Sequence, residues 1–393
     1  MALLFPVRFE LRKALMVKQR WSLLLVLVLA ACSKPTSMGG DPNPPLGGAT
    51  ASEADLKTAT QSYDASASTV RDGSNGEIAS YFSTLQAPFT LRLADFLGLP
   101  DFFSQVGGLL GAQGVAAQVS ATLPRGNWDC TSGACLQSAG DDYDVKWKTP
   151  GGKYAELYLD WNGSSSGVAS ATVTGHLLQD PSSTLEVPTK LIGKLTLADD
   201  ASGKNLQTLM TLNRNVSYPK SSCVSNSYVI DVPDSQRLVV SLKRADGSTL
   251  LNVRNFETTV TSNTLTTKGD LTANSAGKTI NAKWDLSTNG TVLRGRCGEY
   301  GGIIASNLSG TVSTDNGSHT LAFAVVANKF TTNPSSIVFA DSTLTVDGQT
   351  VKFSGSTEDT NKDGYIGDNL TLSFAGGQTL KLAEYLKKYH PKK

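Results

Sequence analysis

Apolar and polar residues alternate along most of the second two-thirds of this chain. Tyr143, Val145 and Trp147 alternate with charged neighbours, a turn follows at Pro150–Gly152, and the alternation resumes over residues 154–161. A period of two places successive side chains on opposite faces of an extended strand. The pattern therefore predicts a β-hairpin with one buried face and one polar face, and it continues towards the C-terminus.

Residue pairs that favour tight turns separate the alternating runs. Asn-Gly and Asp-Gly pairs supply the positive φ angles that short hairpins require. These and similar pairs stand at Asn162-Gly163, Ser202-Gly203, Asp246-Gly247, Ala276-Gly277, Asn289-Gly290, Asn316-Gly317, Asp347-Gly348 and Gly376-Gly377. The strand candidates between them include Lys190–Leu197, Arg237–Lys243, Lys278–Leu286, His319–Val326, Ile337–Val346 and Asn369–Phe374.

The β region covers residues 125–393 and contains on the order of 14–16 predicted strands. No helix-length pattern interrupts the strands, so parallel pairs are not expected. So many strands must curl, close or divide into packed layers to cover their edges. The sequence predicts a mainly β fold: a long antiparallel meander that forms a curved sheet, a barrel or a sandwich. The loop-like segment Asn213–Ser227 is expected to divide it into two halves.

Residues 52–124 have helical periodicity instead. Ser52 and Asp55 predict a capping box, because the serine oxygen accepts a backbone N–H and the aspartate reaches back. Gly73 is expected to end the first helix, and a second helix is expected from Asn75 to Pro88. We expect this region to pack on the sheet or cap it. The first helix is predicted to have an apolar face formed by Leu56, Tyr63, Ala67 and Val70. A third helix is expected to begin at Pro100. A short helix is also expected at the C-terminus, within Leu380–Lys393.

Residues 1–31 have the composition of an export signal. Lys18 and Arg20 precede a short apolar stretch, Trp21–Ala31, whereas a membrane-spanning helix needs about 20 residues. The sequence Leu-Ala-Ala-Cys at Leu29–Cys32 resembles the lipobox of bacterial lipoproteins. That resemblance implies cleavage before Cys32, a lipid on its thiol and an acylated new N-terminus. It further implies an exported, membrane-anchored protein that faces the periplasm or the cell surface, in the outer membrane if the organism has one.

A complete signal of this kind begins at Met16, so we expect Met16 rather than Met1 to be the start of the protein. Residues 32–51 are rich in glycine and proline and have no apolar periodicity. Such a composition predicts a flexible tether between the lipid and the folded domain.

Cleavage before Cys32 changes the charge of the chain. The full sequence has 35 basic and 34 acidic residues. Residues 1–31 contain five basic residues and one acidic residue, which leaves 30 basic and 33 acidic residues in the mature chain. Binding to nucleic acid needs a concentrated basic surface, so a slightly acidic chain argues against that partner.

The chain has five cysteines. Lipidation of Cys32 leaves four, an even number that suits disulfides in an oxidising compartment. Three pairings are open, and we favour Cys130–Cys135, which closes a short local loop, together with Cys223–Cys297. A zinc site is the weaker interpretation, because the spacings match no zinc pattern and no histidine lies close in sequence.

One loop near the C-terminus has a motif suited to a metal ion. Residues 359–364 read Asp-x-Asn-x-Asp-Gly, which resembles the first half of an EF-hand or dockerin calcium loop. The resemblance implies that Asp359, Asn361 and Asp363 supply side-chain oxygens and Tyr365 its carbonyl. The cofactor would be a structural Ca²⁺ ion that fixes the loop.

Two features of this loop depart from the calcium-binding pattern. The twelfth position is Leu370, where the family has a bidentate glutamate, and predicted strands rather than helices flank the loop. Asp368 is the predicted substitute ligand, and Glu358 is a further candidate. The alternative is a metal-free hairpin turn that is rich in Asp, Asn and Gly.

No pattern of catalytic residues stands out. Residues 163–167 match Gly-x-Ser-x-Gly, but they form a low-complexity turn rather than a strand-to-helix junction. His176, His319 and His390 have no nucleophile or metal ligand at motif spacing. We therefore expect a protein that is not an enzyme.

Three functions stay open. The first is a lipoprotein of the cell envelope that acts as a non-enzymatic structural or binding module, with a lipid, an envelope protein or a glycan as partner. The second is a carrier of lipid or another hydrophobic ligand, since helices beside a large curved sheet are similar in outline to bacterial lipid-carrier lipoproteins. The third and weakest is an envelope hydrolase.

Tyr154 and Tyr158 have the phase of the polar face and are candidates for an exposed patch.

Overall fold

The computed structural model describes residues 48–85, 126–140, 142–161, 168–172, 184–188, 190–217, 234–295, 300–332 and 335–391. The lipobox, Met16, the helix predicted from Pro100, Cys223 and Cys297 lie outside these described residues. Within them the chain forms helix α1 (Glu53–Leu85), eighteen strands, a 3-10 turn (Ala375–Gly377) and helix α2 (Leu382–Tyr389). The strands are β1 (Gly126–Cys130), β2 (Leu136–Ser138), β3 (Tyr143–Lys148), β4 (Tyr154–Trp161), β5 (Val168–Thr172), β6 (Thr184–Pro188), β7 (Lys190–Ala198), β8 (Gln207–Ser217), β9 (Ser235–Lys243), β10 (Thr249–Val260), β11 (Thr264–Ser275), β12 (Lys278–Arg294), β13 (Tyr300–Asp315), β14 (Thr320–Thr332), β15 (Ser335–Val346), β16 (Gln349–Ser356), β17 (Asn369–Ser373) and β18 (Thr379–Lys381).

Sixteen of these strands form one continuous sheet. Their spatial order is β18-β17-β16-β15-β14-β13-β12-β11-β10-β9-β8-β7-β4-β3-β1-β2, so strands that follow each other along the chain are nearly always neighbours. Within the described part of the chain the two outermost strands, β2 and β18, do not pair with each other, and the sheet is open. β5 and β6 form a separate two-stranded ladder. This confirms the mainly β, antiparallel meander, and among the three predicted forms it is an open sheet.

β1 and β3 depart from the antiparallel rule, because they pair in parallel. β2 pairs with the outer side of β1, and the chain then returns past the first residue of β1. At that crossing the N–H of Gly126 donates to the carbonyl of Asp142 over 2.7 Å. β1 therefore lies between two strands that are consecutive in sequence, and the expectation of no parallel pair is wrong at this edge.

Most of the predicted turns are confirmed. Ala276 and Asp347 both have a φ of 49°, and the glycines after them have φ angles of 72° and 86°. Two successive positive φ angles are the conformation of the turns that connect tight hairpins. The pair Asn162-Gly163 lies outside the described residues.

Two predicted interruptions of the β region are wrong. Asn289 and Gly290 lie inside β12, where the pairing register with β13 shifts, so they stand at a bulge rather than a turn. Asn213 belongs to β8, which continues to Ser217 and pairs with β9. The chain thus returns to the same sheet after Ser217, and the sheet is not divided there.

One face of the sheet is apolar and the other is polar. Val145, Trp147 and Leu157 are buried, as the alternation predicts. On the opposite face Lys146 pairs with Glu156 on the neighbouring strand at 3.1 Å. Exposed ion pairs contribute only about 0–1 kcal/mol each, so the apolar face supplies most of the stability of the sheet.

Helix α1 begins as the sequence predicts. The N–H of Asp55 donates to Ser52 Oγ over 3.2 Å, and the N–H of Ser52 donates to Asp55 Oδ2 over 2.8 Å. This reciprocal pair is the predicted capping box. The predicted apolar face is also confirmed, because Leu56, Tyr63 and Val70 are at most 5% exposed.

The predicted end of this helix at Gly73 is wrong. α1 continues as a single helix of 33 residues to Leu85. Gly73 lies directly over Ser275 at the end of β11, where a Cβ on the glycine would overlap Ser275 Oγ and lie 3.0 Å from Ser275 Cβ. The glycine therefore allows the helix to approach the sheet closely and does not terminate it.

Helix α1 crosses the sheet along the end that carries the tight hairpin turns. Just before the helix, Thr50 and Ala51 bond to Thr350 in β16. The contacts of the helix itself then fall on Asn316 between β13 and β14, on Ser275 in β11 and on Trp147 in β3. A helix of 33 residues is about 50 Å long. The twelve strands from β16 to β3 are about 53 Å wide at the usual spacing. The helix is thus nearly as long as the part of the sheet that it crosses.

Helix α2 confirms the short helix that was predicted at the C-terminus. Leu382, Tyr385 and Leu386 face the core, and Lys387 and Lys388 occupy the last turn, where cations interact favourably with the helix dipole. In the ranges that the structure covers, no helix has both the length and the apolar composition needed to cross a membrane.

The close approach at Gly73 predicts an unusual sign for one substitution. In an open helix, Gly→Ala stabilises by about 1 kcal/mol. We expect Gly73→Ala to destabilise the protein by about 1–3 kcal/mol in urea denaturation, because the new methyl group would overlap Ser275. In a Ser275→Gly background the same substitution should become stabilising. A stabilising effect of Gly73→Ala in the wild-type background would contradict this account.

Candidate functional site

The predicted calcium loop connects β16 to β17, and its side chains bond to its own backbone. The bonds run from Gly364 N–H to Asp359 Oδ2, from Asp363 N–H to Asn361 Oδ1 and from Tyr365 N–H to Asp363 Oδ1, at 2.7, 2.9 and 2.8 Å. Gly364 has a φ of 80°, which permits the sharp turn at this point. The motif therefore folds the loop by capping its own N–H groups.

Asp368, the predicted substitute for the family's glutamate, closes this loop. Its Oδ2 accepts the N–H groups of Thr360 and Asn361 at 2.8 and 3.1 Å, and its Oδ1 accepts the Asn361 side-chain amide at 2.9 Å. Burial acts to raise the pKa of Asp368, but these bonds outweigh it and hold the pKa below its usual value. Asp368 is therefore a carboxylate at neutral pH, with both oxygens already engaged.

The other two acids of the loop differ from each other. Asp363 Oδ2 lies 2.5 Å from Lys387 Nζ on α2, so an ammonium group compensates its charge. Asp359 Oδ1 is buried and has no hydrogen-bond partner. In the described ranges, no three His, Cys, Asp or Glu side chains are grouped so that they could hold a metal ion. The loop therefore brings the predicted ligands together, but most of their side-chain oxygens already accept hydrogen bonds from N–H groups or pair with Lys387.

A second polar cluster fastens the C-terminal half of α1 to two hairpins. Glu77 Oε2 accepts from Arg244 Nε at 2.5 Å, and Glu77 Oε1 accepts from Ser275 Oγ at 2.5 Å. Arg244 Nη2 also donates to the Asn274 carbonyl at 2.8 Å. These residues line an open, polar groove of about 490 Å³. Sequence reasoning missed the cluster, because Glu77 is 167 and 198 positions away from its two partners.

Helix α2 docks on α1 through a network around His390. His390 Nδ1 lies 2.9 Å from Asp64 Oδ2, and His390 Nε2 lies 3.2 Å from Thr60 Oγ1. Thr60 Oγ1 also lies 2.8 Å from the hydroxyl of Tyr385. An acid, a histidine and a hydroxyl in this order have the connectivity of a catalytic triad. Here the side chain of Thr60 is 4% exposed and bonds to the Leu56 carbonyl, so the network holds two helices together.

The two other histidines give no further cluster. His319 directly precedes β14, and its Nδ1 lies 2.7 Å from Asp347 Oδ2 in the neighbouring hairpin turn. His176 lies outside the described residues, as does the Gly-x-Ser-x-Gly stretch. The placement of His319 within a strand is therefore wrong by one residue, and its contact is with a turn.

Arg214 is a buried cation on the apolar face of β8. The residue is 5% exposed, and its Nη1 has no hydrogen-bond partner. Its cross-strand neighbours are Leu191 on β7 and Leu238 on β9, both buried. A second groove, of about 550 Å³, is lined by residues of the opposite phase such as Asn215 and Arg237, so it belongs to the polar face.

The cysteine predictions are confirmed in part. Cys130 and Cys135 form a disulfide across the turn between β1 and β2. The pairing of Cys223 with Cys297 lies outside the described residues and stays a prediction. Near these positions in sequence, Asp234 and Arg294 form an ion pair at 2.7 Å.

The two candidate tyrosines of the polar face do not form an extended aromatic patch. Tyr158 is 36% exposed, and its hydroxyl donates to Asp142 Oδ2 at 3.0 Å. Burial and the charge of Asp142 raise the pKa of Tyr158 to about 12. Tyr154 is partly buried, with Lys148 Nζ 5.7 Å from its ring centroid.

Comparison with known proteins adds no relative to these observations. No family model, no curated protein and no solved structure matches this chain.

The cluster around Glu77 predicts a pH-dependent stability. The hydrogen bond from Arg244 lowers the pKa of Glu77 against an opposing effect of burial. Because the pKa is lower in the folded state, the contact stabilises the protein above the ordinary carboxyl pKa of 4.5 and is lost as the pH falls through the lowered value. We expect Glu77→Gln to lower the Tm by a few degrees at pH 7 and by less near about pH 3, because protonation of the wild-type carboxylate removes the same contact.

Thermal melts between these two pH values measure this difference. Glu257→Gln, on the polar face of β10, is the matched control and should behave like the wild type throughout. An equal loss of Tm in Glu77→Gln at both pH values would mean that the carboxylate charge is not what holds the helix.

Proposed function

We propose that this chain is a lipid-anchored protein of the bacterial cell envelope that acts as a non-enzymatic binding module. Acyl groups on Cys32 hold it at a membrane, and the open sheet binds a lipid, an envelope protein or a glycan. The observation that carries the proposal is the place where the chain enters the sheet.

The residues at the end of the predicted tether are fixed to hairpin turns. The N–H groups of Thr50 and Ala51 donate to the Thr350 carbonyl at 2.8 and 3.0 Å, and the N–H of Thr350 donates to Thr50 Oγ1 at 2.8 Å. The carbonyl of Ala51 accepts the N–H of Ala375 at 2.9 Å. The chain therefore joins the sheet at the end with the tight turns.

This entry point supports an anchored module. About 16 residues separate Cys32 from Gly48, and a flexible tether of that length has a mean span of about 20 Å. The end with the tight turns would then stay close to the membrane, and the opposite end of the sheet would face away from it. Both faces of the sheet, the apolar one and the polar one, would then lie outside the membrane.

The way the acids and histidines are used supports a non-enzymatic role. The acids of the β16–β17 loop cap N–H groups, and Glu77 and His390 hold helices in place. In each case the group that could react is committed to a bond that supports the fold.

A structural calcium ion in the β16–β17 loop is a second proposal, favoured by the buried, unpartnered Asp359 Oδ1. Asp359, Asn361, Asp363 and the carbonyl of Tyr365 would hold the ion, with Asp368 beside them. The ion would supply positive charge to the loop and no chemistry. The fit is partial, because Lys387 already pairs with Asp363 and would have to be displaced.

The anchor predicts where the protein is found in a fractionated cell. We expect Cys32→Ser to reduce the membrane-bound fraction at least tenfold, because the thiol that carries the lipid is removed. Cys135→Ser, which removes a cysteine from the folded domain, should leave the membrane-bound fraction unchanged. Mass spectrometry of the wild-type N-terminal peptide should find acyl groups on Cys32, and an unmodified thiol there would refute the anchor.

The calcium proposal predicts a metal-dependent Tm. Calcium should raise the Tm of the wild type by a few degrees relative to a chelator, because a ligand that binds only the folded state stabilises it. Asp359→Asn should lose this rise. Asp246→Asn alters an acid that caps Ser248 in another turn and should keep it. Identical melts with calcium and with chelator would rule the ion out.

A further inference from the structure

The groove of about 550 Å³ on the polar face lies at the end of the sheet that is opposite the tight turns. Lys190 and Ser235, which line it, are the first residues of β7 and β9, and Ser217 is the last residue of β8. Sites for small ligands have volumes of about 300–1,000 Å³. This polar-face groove therefore has room for a ligand, and its lining determines which kind fits.

Most side chains that line the polar-face groove can form hydrogen bonds. Lys190 and Arg237 are cations, Asn215 and Gln236 are amides, and three further residues carry hydroxyl groups. None of the lining residues that the structure describes is aromatic, so there is no ring on which a neutral sugar could stack. A ligand must therefore bind here through hydrogen bonds and charge.

These polar groups are not used to support the fold. Within the described part of the chain, the side chains of Ser217, Ser235 and Gln236 form no hydrogen bond. The groove beside Glu77 differs, because Arg244 there uses Nε, Nη1 and Nη2 on protein groups. The polar-face groove thus combines an open concave shape with hydrogen-bonding groups that a ligand can engage.

Arg237 has the strongest uncommitted donors in this groove. Its one hydrogen bond to a described residue runs from Nε to Asn255 Oδ1 at 3.3 Å, so both Nη groups remain available. Glu257 lies opposite it on β10, but the two form no ion pair among the described contacts. Elsewhere on the same face Arg254 pairs with Asp270. The guanidinium of Arg237 is therefore exposed and open to an external anion.

A second cation lies near Arg237 in the same groove. Lys190 on β7 and Arg237 on β9 are the two cross-strand neighbours of Asn215 on β8. Two strand spacings therefore separate the backbones at these two cations, a distance of about 10 Å. Two separate positive charges with an amide between them suit a ligand that carries more than one acidic group.

We propose that the polar-face groove binds an acidic glycan, a chain of sugars that carries carboxylate groups. Arg237 forms paired hydrogen bonds with one carboxylate, and Lys190 attracts a second. The amides and hydroxyls of the groove bond to the sugar hydroxyls between them. This assignment deepens the proposed binding-module function and rests on it, since it selects the glycan among the three kinds of partner.

The position of the groove in the sheet supports a glycan partner. The chain joins the sheet through Thr50 and Ala51 at the end with the tight turns, and the groove lies at the other end. In a protein anchored through Cys32, the groove would therefore face away from the membrane. A polymer of the envelope can reach that end without contact with the lipid surface.

Isothermal titration of the whole mature chain, with Cys32→Ser so that no acyl group requires detergent, tests the groove. Hexagalacturonate should bind, and its methyl ester, which has the same sugars without the charges, should bind at least tenfold more weakly. Arg237→Met should weaken the binding of hexagalacturonate at least tenfold. Lys194→Met is the matched control and should bind like the parent chain, because Lys194 shares the strand and face of Lys190 but lies outside the groove.

Several outcomes would overturn the proposal. Absence of hexagalacturonate binding, equal binding of the methyl ester, or acetate binding as tightly as hexagalacturonate would each do so. An equal loss of binding in Lys194→Met and Arg237→Met would mean that general charge attraction, and not the groove, holds the glycan. Should Arg237→Met lower the Tm, Lys190→Met gives the same test and must also weaken binding at least tenfold.

The result of this titration is separate from the anchor, because the protein tested carries no lipid. Failure of glycan binding would leave the lipidation of Cys32 intact, together with a binding module whose partner is a lipid or an envelope protein. An unmodified thiol at Cys32 in the wild type would leave the titration result standing.

Discussion

The contact between α1 and the turn end of the sheet determines how this molecule holds together. An open sheet of sixteen strands has an apolar face and two edges that it cannot cover by pairing. α1 lays its buried side chains across that face and bonds to hairpins that are far apart in the sheet. Each fully buried aliphatic or aromatic side chain contributes about 1.5–3 kcal/mol. The helix therefore joins hairpins that would otherwise contact only their immediate neighbours.

The hairpins of this fold could be predicted from sequence because their determinants are local. Alternation in β3 and β4 and the Asp-Gly and Ala-Gly turns need only residues within a few positions. Gly73 and Asn289-Gly290 could not be interpreted in this way. A glycine has the same freedom in a turn, a bulge or a close contact, and Ser275, which decides the role of Gly73, is about two hundred residues away.

The candidate sites show the same division between local and distant determinants. The sequence identifies the acids of the β16–β17 loop, but Lys387 reaches Asp363 from α2, outside the motif. Arg214 did leave a signal in the sequence, since it shares the phase of Leu212 and Val216 in a strand with clear alternation. A charged residue on the apolar phase of a strand is rare, because burial of an unpaired charge is costly.

The order of the α1 contacts also constrains how the chain can fold as it emerges from its N-terminus. Leu85 bonds to Trp147, 62 positions away, whereas Glu77, Ser62 and Thr60 bond to residues 198, 254 and 325 positions away. The partner of the helix's last turn thus emerges first, and the partners of its first turns emerge last. A chain that emerges from its N-terminus adds strands to a growing sheet while α1 attaches progressively backwards, from its C-terminal end to its N-terminal end. α1, the first element of the described residues to be made, is thus the last to be completed.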